Sequence, residues 1–185
     1  MILEKQFINY ALFVSAFFLS HNYMAQKDVL KLLPGSKKAN YFEENDLLKL
    51  EGDVNFEYQQ NTMFCDSAYY FETAQIVRAY GHVHIIKENL NIFCDSAFFD
   101  DQAQKSKLWG RVKMRDGDYK LTTDSIDYDS ATGRATYRNY GVIQKINSKE
   151  RITSKVGYFY PDTKNYHFQD SVRYTNKDLT MTTDT

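Results

Sequence analysis

Phe64-Cys65-Asp66-Ser67-Ala68-Tyr69-Tyr70 is the stretch whose reading decides the fold. It comes back 29 residues later as Phe93-Cys94-Asp95-Ser96-Ala97-Phe98-Phe99. It returns as Thr122-Thr123-Asp124-Ser125-Ile126-Asp127-Tyr128, and more faintly as Ile152-Thr153-Ser154-Lys155-Val156-Gly157-Tyr158. A fifth copy begins at Thr182-Thr183-Asp184-Thr185. A fixed period in this range means one supersecondary unit stacked on copies of itself. Function is then to be sought in what the stack presents or encloses.

A second element alternates with the first. Gly52-Asp53-Val54, Gly81-His82-Val83 and Gly110-Arg111-Val112 are each 29 residues apart, and Val142 and Val172 continue the series at steps of 30. Turn residues fall about every 14 or 15 positions, among them Gln60-Asn61, Glu88-Asn89, Asp116-Gly117-Asp118 and Thr132-Gly133. Each unit therefore holds two strands, and the spacing predicts about ten strands of roughly 8–11 residues. Strands this long in a small domain bend, so that one strand serves both walls of a sandwich or roll. The reading is all-β and repeat-built: a mostly antiparallel, twisted jellyroll or solenoid-like stack.

Period-two alternation assigns the faces. Two residues before each Asp stand Phe64, Phe93 and Thr122; two after stand Ala68, Ala97 and Ile126; four after stand the aromatics Tyr70, Phe99 and Tyr128. On the other strands Val54 and Phe56, Val83 and Ile85, and Val112 and Met114 share a face. The intervening Cys, Thr, Ser and Lys suit a less buried side.

Composition narrows the class. With 15 Tyr, 13 Phe and only 2 Pro, the chain favours strands over disorder. A net charge of −1 without a basic block gives no electrostatic reason to expect nucleic acid. Phe7 to Ser20 is an uncharged run of 14 residues, short for a membrane span and suited to the core of a secretory signal peptide. The expected organisation is a signal peptide over 1–25, a lead-in segment over 26–46, and the β-repeat domain over 47–185. The chain halts at Asp184-Thr185 before the residues that complete every earlier Asp strand, which leads us to expect a domain truncated at its C-terminal end. An unfinished strand leaves an edge that templates pairing with another chain.

Candidate chemistry is sparse. Asp66, Asp95 and Asp124 form a ladder, but glycine-rich calcium loops are missing, so each is read as a structural bend residue accepting backbone hydrogen bonds. His82 and His84 share a strand without further ligands at zinc spacing, so no metal is assigned. Neither catalytic residues nor a cofactor are assigned. Cys65 and Cys94 test the architecture. Stacked as parallel rungs they would lie about 4.8 Å apart, whereas an intervening antiparallel strand moves them to roughly 9.6 Å, too far to bond. The antiparallel case is expected.

The alternation of Gly52-x-Val54, Asp66-x-Ala68-x-Tyr70, Gly81-x-Val83, Asp95-x-Ala97-x-Phe99, Gly110-x-Val112 and Asp124-x-Ile126-x-Tyr128 behind an export signal resembles the OstA-like family. This is the group of periplasmic and outer-membrane lipopolysaccharide-transport proteins that includes LptA and the N-terminal domains of LptD. Repeat four departs from the pattern, with Ser154 in place of Asp and Gly141 adjacent to Val142. The resemblance implies a non-enzymatic module in the periplasm, associated with the outer membrane, whose apolar interior shelters lipid A acyl chains. The interior would be lined by Val54, Phe56, Phe64, Ala68, Tyr70, Val83, Ile85, Phe93, Ala97, Phe99, Val112, Met114, Ile126 and Tyr128. It also implies partners: lipopolysaccharide, and other OstA-like domains or outer-membrane transport proteins joined by strand-edge pairing. The alternative is a structural or adhesive β-solenoid with a dry core.

Overall fold

The computed structural model describes residues 30–160, 163 and 165–184. The expected signal peptide lies outside these residues. The lead-in segment pairs along the first repeat: β1 (Lys31–Leu32) and β2 (Lys38–Phe42) run antiparallel to β3 (Leu47–Tyr58), separated from it by a single 3-10 turn at Glu43–Asn45. Long strands follow in strict antiparallel succession: β4 (Asn61–Phe71), β5 (Ile76–Lys87), β6 (Leu90–Asp100), β7 (Lys105–Asp116) and β8 (Tyr119–Asp129). The expected all-β antiparallel sheet is observed.

After β8 the strands shorten. They are β9 (Arg134–Tyr137), β10 (Gly141–Lys145), β11 (Arg151–Ser154), β12 (Val156–Tyr160), β13 (Asn165–Gln169), β14 (Val172–Thr175) and β15 (Thr180–Thr183). The sheet forks here: β10, β11, β14 and β15 continue one half of β8, while β9, β12 and β13 continue the other. The expected ten uniformly long strands are thus six long strands flanked by short ones, because each late strand is cut in two at its bend.

The sheet is folded over on itself. Tyr70 pairs with Leu48, ten residues along β3 from Tyr58; in a flat sheet Tyr58 and Tyr70 would be about 33 Å apart. Their ring centroids lie 5.9 Å apart, edge to face. Each long strand therefore contributes one half to each of two walls. Wall 1 holds the halves next to the turns at Gln59–Gln60, Glu88–Asn89 and Gly117–Asp118. Wall 2 holds the halves next to the turns near residues 72–75, 101–104 and 130–133, which hydrogen-bond to one another in a ladder.

The fold line is made by the Gly-x-Val segments. Gly52-Asp53, Gly81-His82 and Gly110-Arg111 each have two consecutive positive φ angles, and each pair stands opposite a single residue, Asp66, Asp95 or Asp124. Two residues facing one is a β-bulge, which bends the strand and raises its twist. Repetition at the same height in every unit aligns the bends into one crease.

The crease also corrects two sequence assignments. On β4, Met63 and Cys65 point inward, then Ala68 and Tyr70 do; Asp66 and Ser67 both turn away from the core. Alternation therefore skips a residue at each Asp. Cys65, Cys94 and Thr123, expected on the less buried side, are buried. Phe64 and Phe93, expected in the interior, are on the outer face at 36% and 45% exposure. Cys65 and Cys94 are unbonded, with Val83 of β5 between them in the pairing.

Candidate functional site

The space between the walls is the candidate site. Val54, Phe56, Ala68, Tyr70, Val83, Ile85, Ala97, Phe99, Val112 and Ile126 are all buried in one apolar cluster, with Met114 and Tyr128 packed partly buried against it. At the β3–β4 end this interior is filled, since Leu50, Val54, Phe56 and Met63 have no exposed surface. Tyr58 closes that end. Its hydroxyl crosses from wall 1 to donate to the Asp101 carboxylate of wall 2, to which Gln59 also donates, and lies 3.4 Å from the Gln75 carbonyl.

Toward the other end the interior opens. One inward row of wall 1 runs Leu121, Ile143, Ile152, Tyr174, Met181 by direct cross-strand pairing. Leu121 is 8% exposed, the next three are half-buried, and Met181 is 53% exposed. Facing it on wall 2 are Phe159, Tyr166 and Phe168, stacked at centroid distances of 5.9 and 6.4 Å, with Tyr166 50% exposed. The sequence reading missed these residues. Apolar alternation at Ile143, Ile152 and Phe159 is the signal for them, and equating Ser154 with the aspartates puts repeat four one residue out of step.

The misalignment is visible at Ser154. Cys65 and Cys94 donate from Sγ to the carbonyls of Ser67 and Ser96, two residues on, at 3.2 and 3.3 Å. Ser154 does the same to Val156 at 2.8 Å and is fully buried. It is therefore the counterpart of the cysteines, not of the aspartates. Likewise Gly141, paired with Thr123, takes the place of the interior valines, while Val142 points outward and Phe159 replaces Tyr158 as the inward aromatic. Tyr137 fills the room left by Gly141 and Gly157, where any Cβ would collide with its ring. Its hydroxyl bonds Ser154 Oγ at 2.6 Å.

Two of the crease aspartates, Asp66 and Asp95, are held by side chains of the next strand instead of by backbone amides. Asp66 Oδ2 accepts from His82 Nδ1 at 2.8 Å, and Asp95 from Arg111 at 2.5 and 3.1 Å. Arg111 keeps the Asp95 carboxyl below the usual carboxylate range. His84 stacks between Phe64 and Phe93 on the outer face, its Nε2 3.0 Å from Asn91 Oδ1. Nothing in these pairings converges on a reacting atom.

The family model described as OstA-like protein matches residues 24–184. The chain belongs to the OstA-like family. No curated protein matches this OstA-like chain. Among solved structures it is similar to LptH of Pseudomonas aeruginosa, described as the LptA homologous periplasmic component of the conserved lipopolysaccharide transport device. The likeness has 10% identity and a TM-score of 0.48 over 55% of this chain and 76% of that one. At that score it carries no functional conclusion.

Proposed function

We propose that this OstA-like chain is a non-enzymatic lipopolysaccharide-transport module of the periplasm, sheltering acyl chains between its two walls. The observation that carries the reading is the loss of burial along Leu121, Ile143, Ile152, Tyr174 and Met181, opposite the half-open aromatic ladder of Phe159, Tyr166 and Phe168. An apolar lining that is unfilled at one end is what a lipid chain needs: each methylene kept from water is worth about 0.8 kcal/mol. The transport reading follows family membership. The lipid-facing residues of this proposal are those of the open end, with Met114 and Tyr128 at its boundary.

The packed end favours a second reading for that half alone. Val54, Phe56 and Ala68 have no exposed surface, so in this conformation they form a dry core that braces the open end. Acyl chains reaching Val83 or Phe99 would require the walls to part. Partner chains are proposed to pair with the outer strands β2, β13 or β15.

Photo-crosslinking tests the proposal. A benzophenone side chain at Ile152 or Tyr174 is expected to capture lipopolysaccharide in cells, and one at Phe56 to capture little. Equal capture at all three sites would move the trough into the packed half, and no capture at any would end the lipid reading.

A further inference from the structure

Charge is sorted between the two outer faces. On wall 2, cations and acids alternate and pair, as in Lys105–Asp129, Lys107–Asp127 and Arg138–Asp127. On wall 1, the outward positions of β7, β8, β11 and β14 hold Lys113, Arg115, Lys120, Arg151 and Arg173, and between the crease and the turns those of β4 to β15 hold no acid. All five are exposed, and none forms an ion pair among the described residues. Acids stand beyond both ends of these cations: Asp116, Asp118 and Glu150 at the turns, and Asp124 and Asp184 on the crease side. In a chain of net charge −1 this is a segregated surface.

Two features mark it as more than a solvated face. Arg115 and Lys120 are direct cross-strand partners, and like charges so placed destabilise a sheet. The unpaired cations are also confined to β7 and the strands after it, whereas Lys31 over the packed end is paired with Glu57. The outward residues of β4 to β6, among them Thr62, Phe64, Ile86 and Asn91, include no Lys or Arg.

We infer that this strip binds the phosphate-bearing saccharide of an acylated lipid whose chains enter the open end. The inference rests on the trough reading above. Arg115, Lys120 and Arg151 lie on the row nearest the turns, each next to a residue of the inward row along which burial falls, Met114, Leu121 and Ile152. From β7 to β14 the cations span four strand spacings, roughly 19 Å. One small anion cannot touch them all; an extended headgroup bearing several phosphates can. Such a ligand supplies the negative charge that Arg115 and Lys120 lack in each other.

The test compares binding of lipid A and of its phosphatase-treated form to the purified chain. Wild type is expected to favour the phosphorylated form, more weakly at high salt. Arg115→Gln, Lys120→Gln and Arg151→Gln are each expected to lower that affinity about fivefold and leave binding of the dephosphorylated form unchanged. Lys49→Gln, on wall 2, is expected to change neither. Lys120→Gln is also expected to hold or raise the melting temperature, which separates a ligand contact from a structural one. Equal binding of both lipids by wild type overturns this inference alone, whereas binding of neither overturns the trough reading with it. Capture of plain phosphatidylglycerol vesicles as strong as that of lipid A would overturn it in favour of a membrane surface.

Discussion

The carboxylate of Asp66 lies directly over Gly81 of the neighbouring strand. A Cβ built on Gly81 would stand 2.7 Å from Asp66 Cγ and 2.9 Å from its Cβ. Gly81 also has φ +75°, which costs a side-chain-bearing residue about 1–2 kcal/mol. Gly81→Ala should therefore destabilise the chain by more than the backbone cost alone. Asp66→Ala in the same chain should recover part of the loss, since the two residues share one space. Urea unfolding of the two single variants and the double variant measures the coupling. Strict additivity would show that the close approach is not what selects glycine.

Tyr137 is the corresponding support where the sheet forks. Its ring occupies the gap between Gly141 and Gly157, so Tyr137→Ala should leave a cavity and cost about 3–5 kcal/mol. Tyr137→Phe keeps the ring and loses only the bond to Ser154, which retains its own bond to Val156; a cost of about 1 kcal/mol is expected. Thermal unfolding of the pair separates space-filling from hydrogen bonding. Similar losses in both variants would mean that the hydroxyl holds the fork.

The fold class was legible because the bulge chemistry is written in single residues: a glycine every 29 positions with an aspartate facing it. What alternation could not reveal was the skipped residue at each Asp. A period-two count runs through a bulge unbroken, so it puts Phe64 inward and Cys65 outward when the reverse holds. The same rule hid the open end, since Ser154 looks like a degraded Asp until its bond to the Val156 carbonyl equates it with Cys65. The basic strip was invisible for a different reason. Lys113, Lys120, Arg151 and Arg173 are scattered over 61 positions and meet only through cross-strand pairing.

Cys65 and Cys94 give a pH prediction with a definite sign. Burial pushes each thiol up to about 12, from an ordinary value of 9.0. Below pH 9 both states are protonated and the contribution is fully present. As pH rises further the unfolded chain ionises first, so stability should fall by about 1.4 kcal/mol per pH unit per thiol until the folded thiols ionise near pH 12. The difference in slope between wild type and the Cys65→Ala/Cys94→Ala double variant isolates the effect from other titrating groups. Both thiols should also resist a disulfide reagent at pH 8 until the chain is denatured; rapid labelling of the native protein would contradict their burial.

Met63 and Met181 occupy the same inward row at opposite ends of the folded sheet, one with no exposed surface and the other 53% exposed. They allow the two ends to be compared with one substitution. Met63→Trp forces a larger side chain into a filled interior and should cost about 1–3 kcal/mol. Met181→Trp has room and should leave the melting temperature within a degree or so of wild type. If acyl chains enter from the open end, the fluorescence of the tryptophan at 181 should shift to the blue when lipid A is added, because its surroundings lose water. The tryptophan at 63 should not respond, being already dry. A blue shift at 63 with silence at 181 would place lipid in the packed half and reverse the direction of entry argued from the burial gradient.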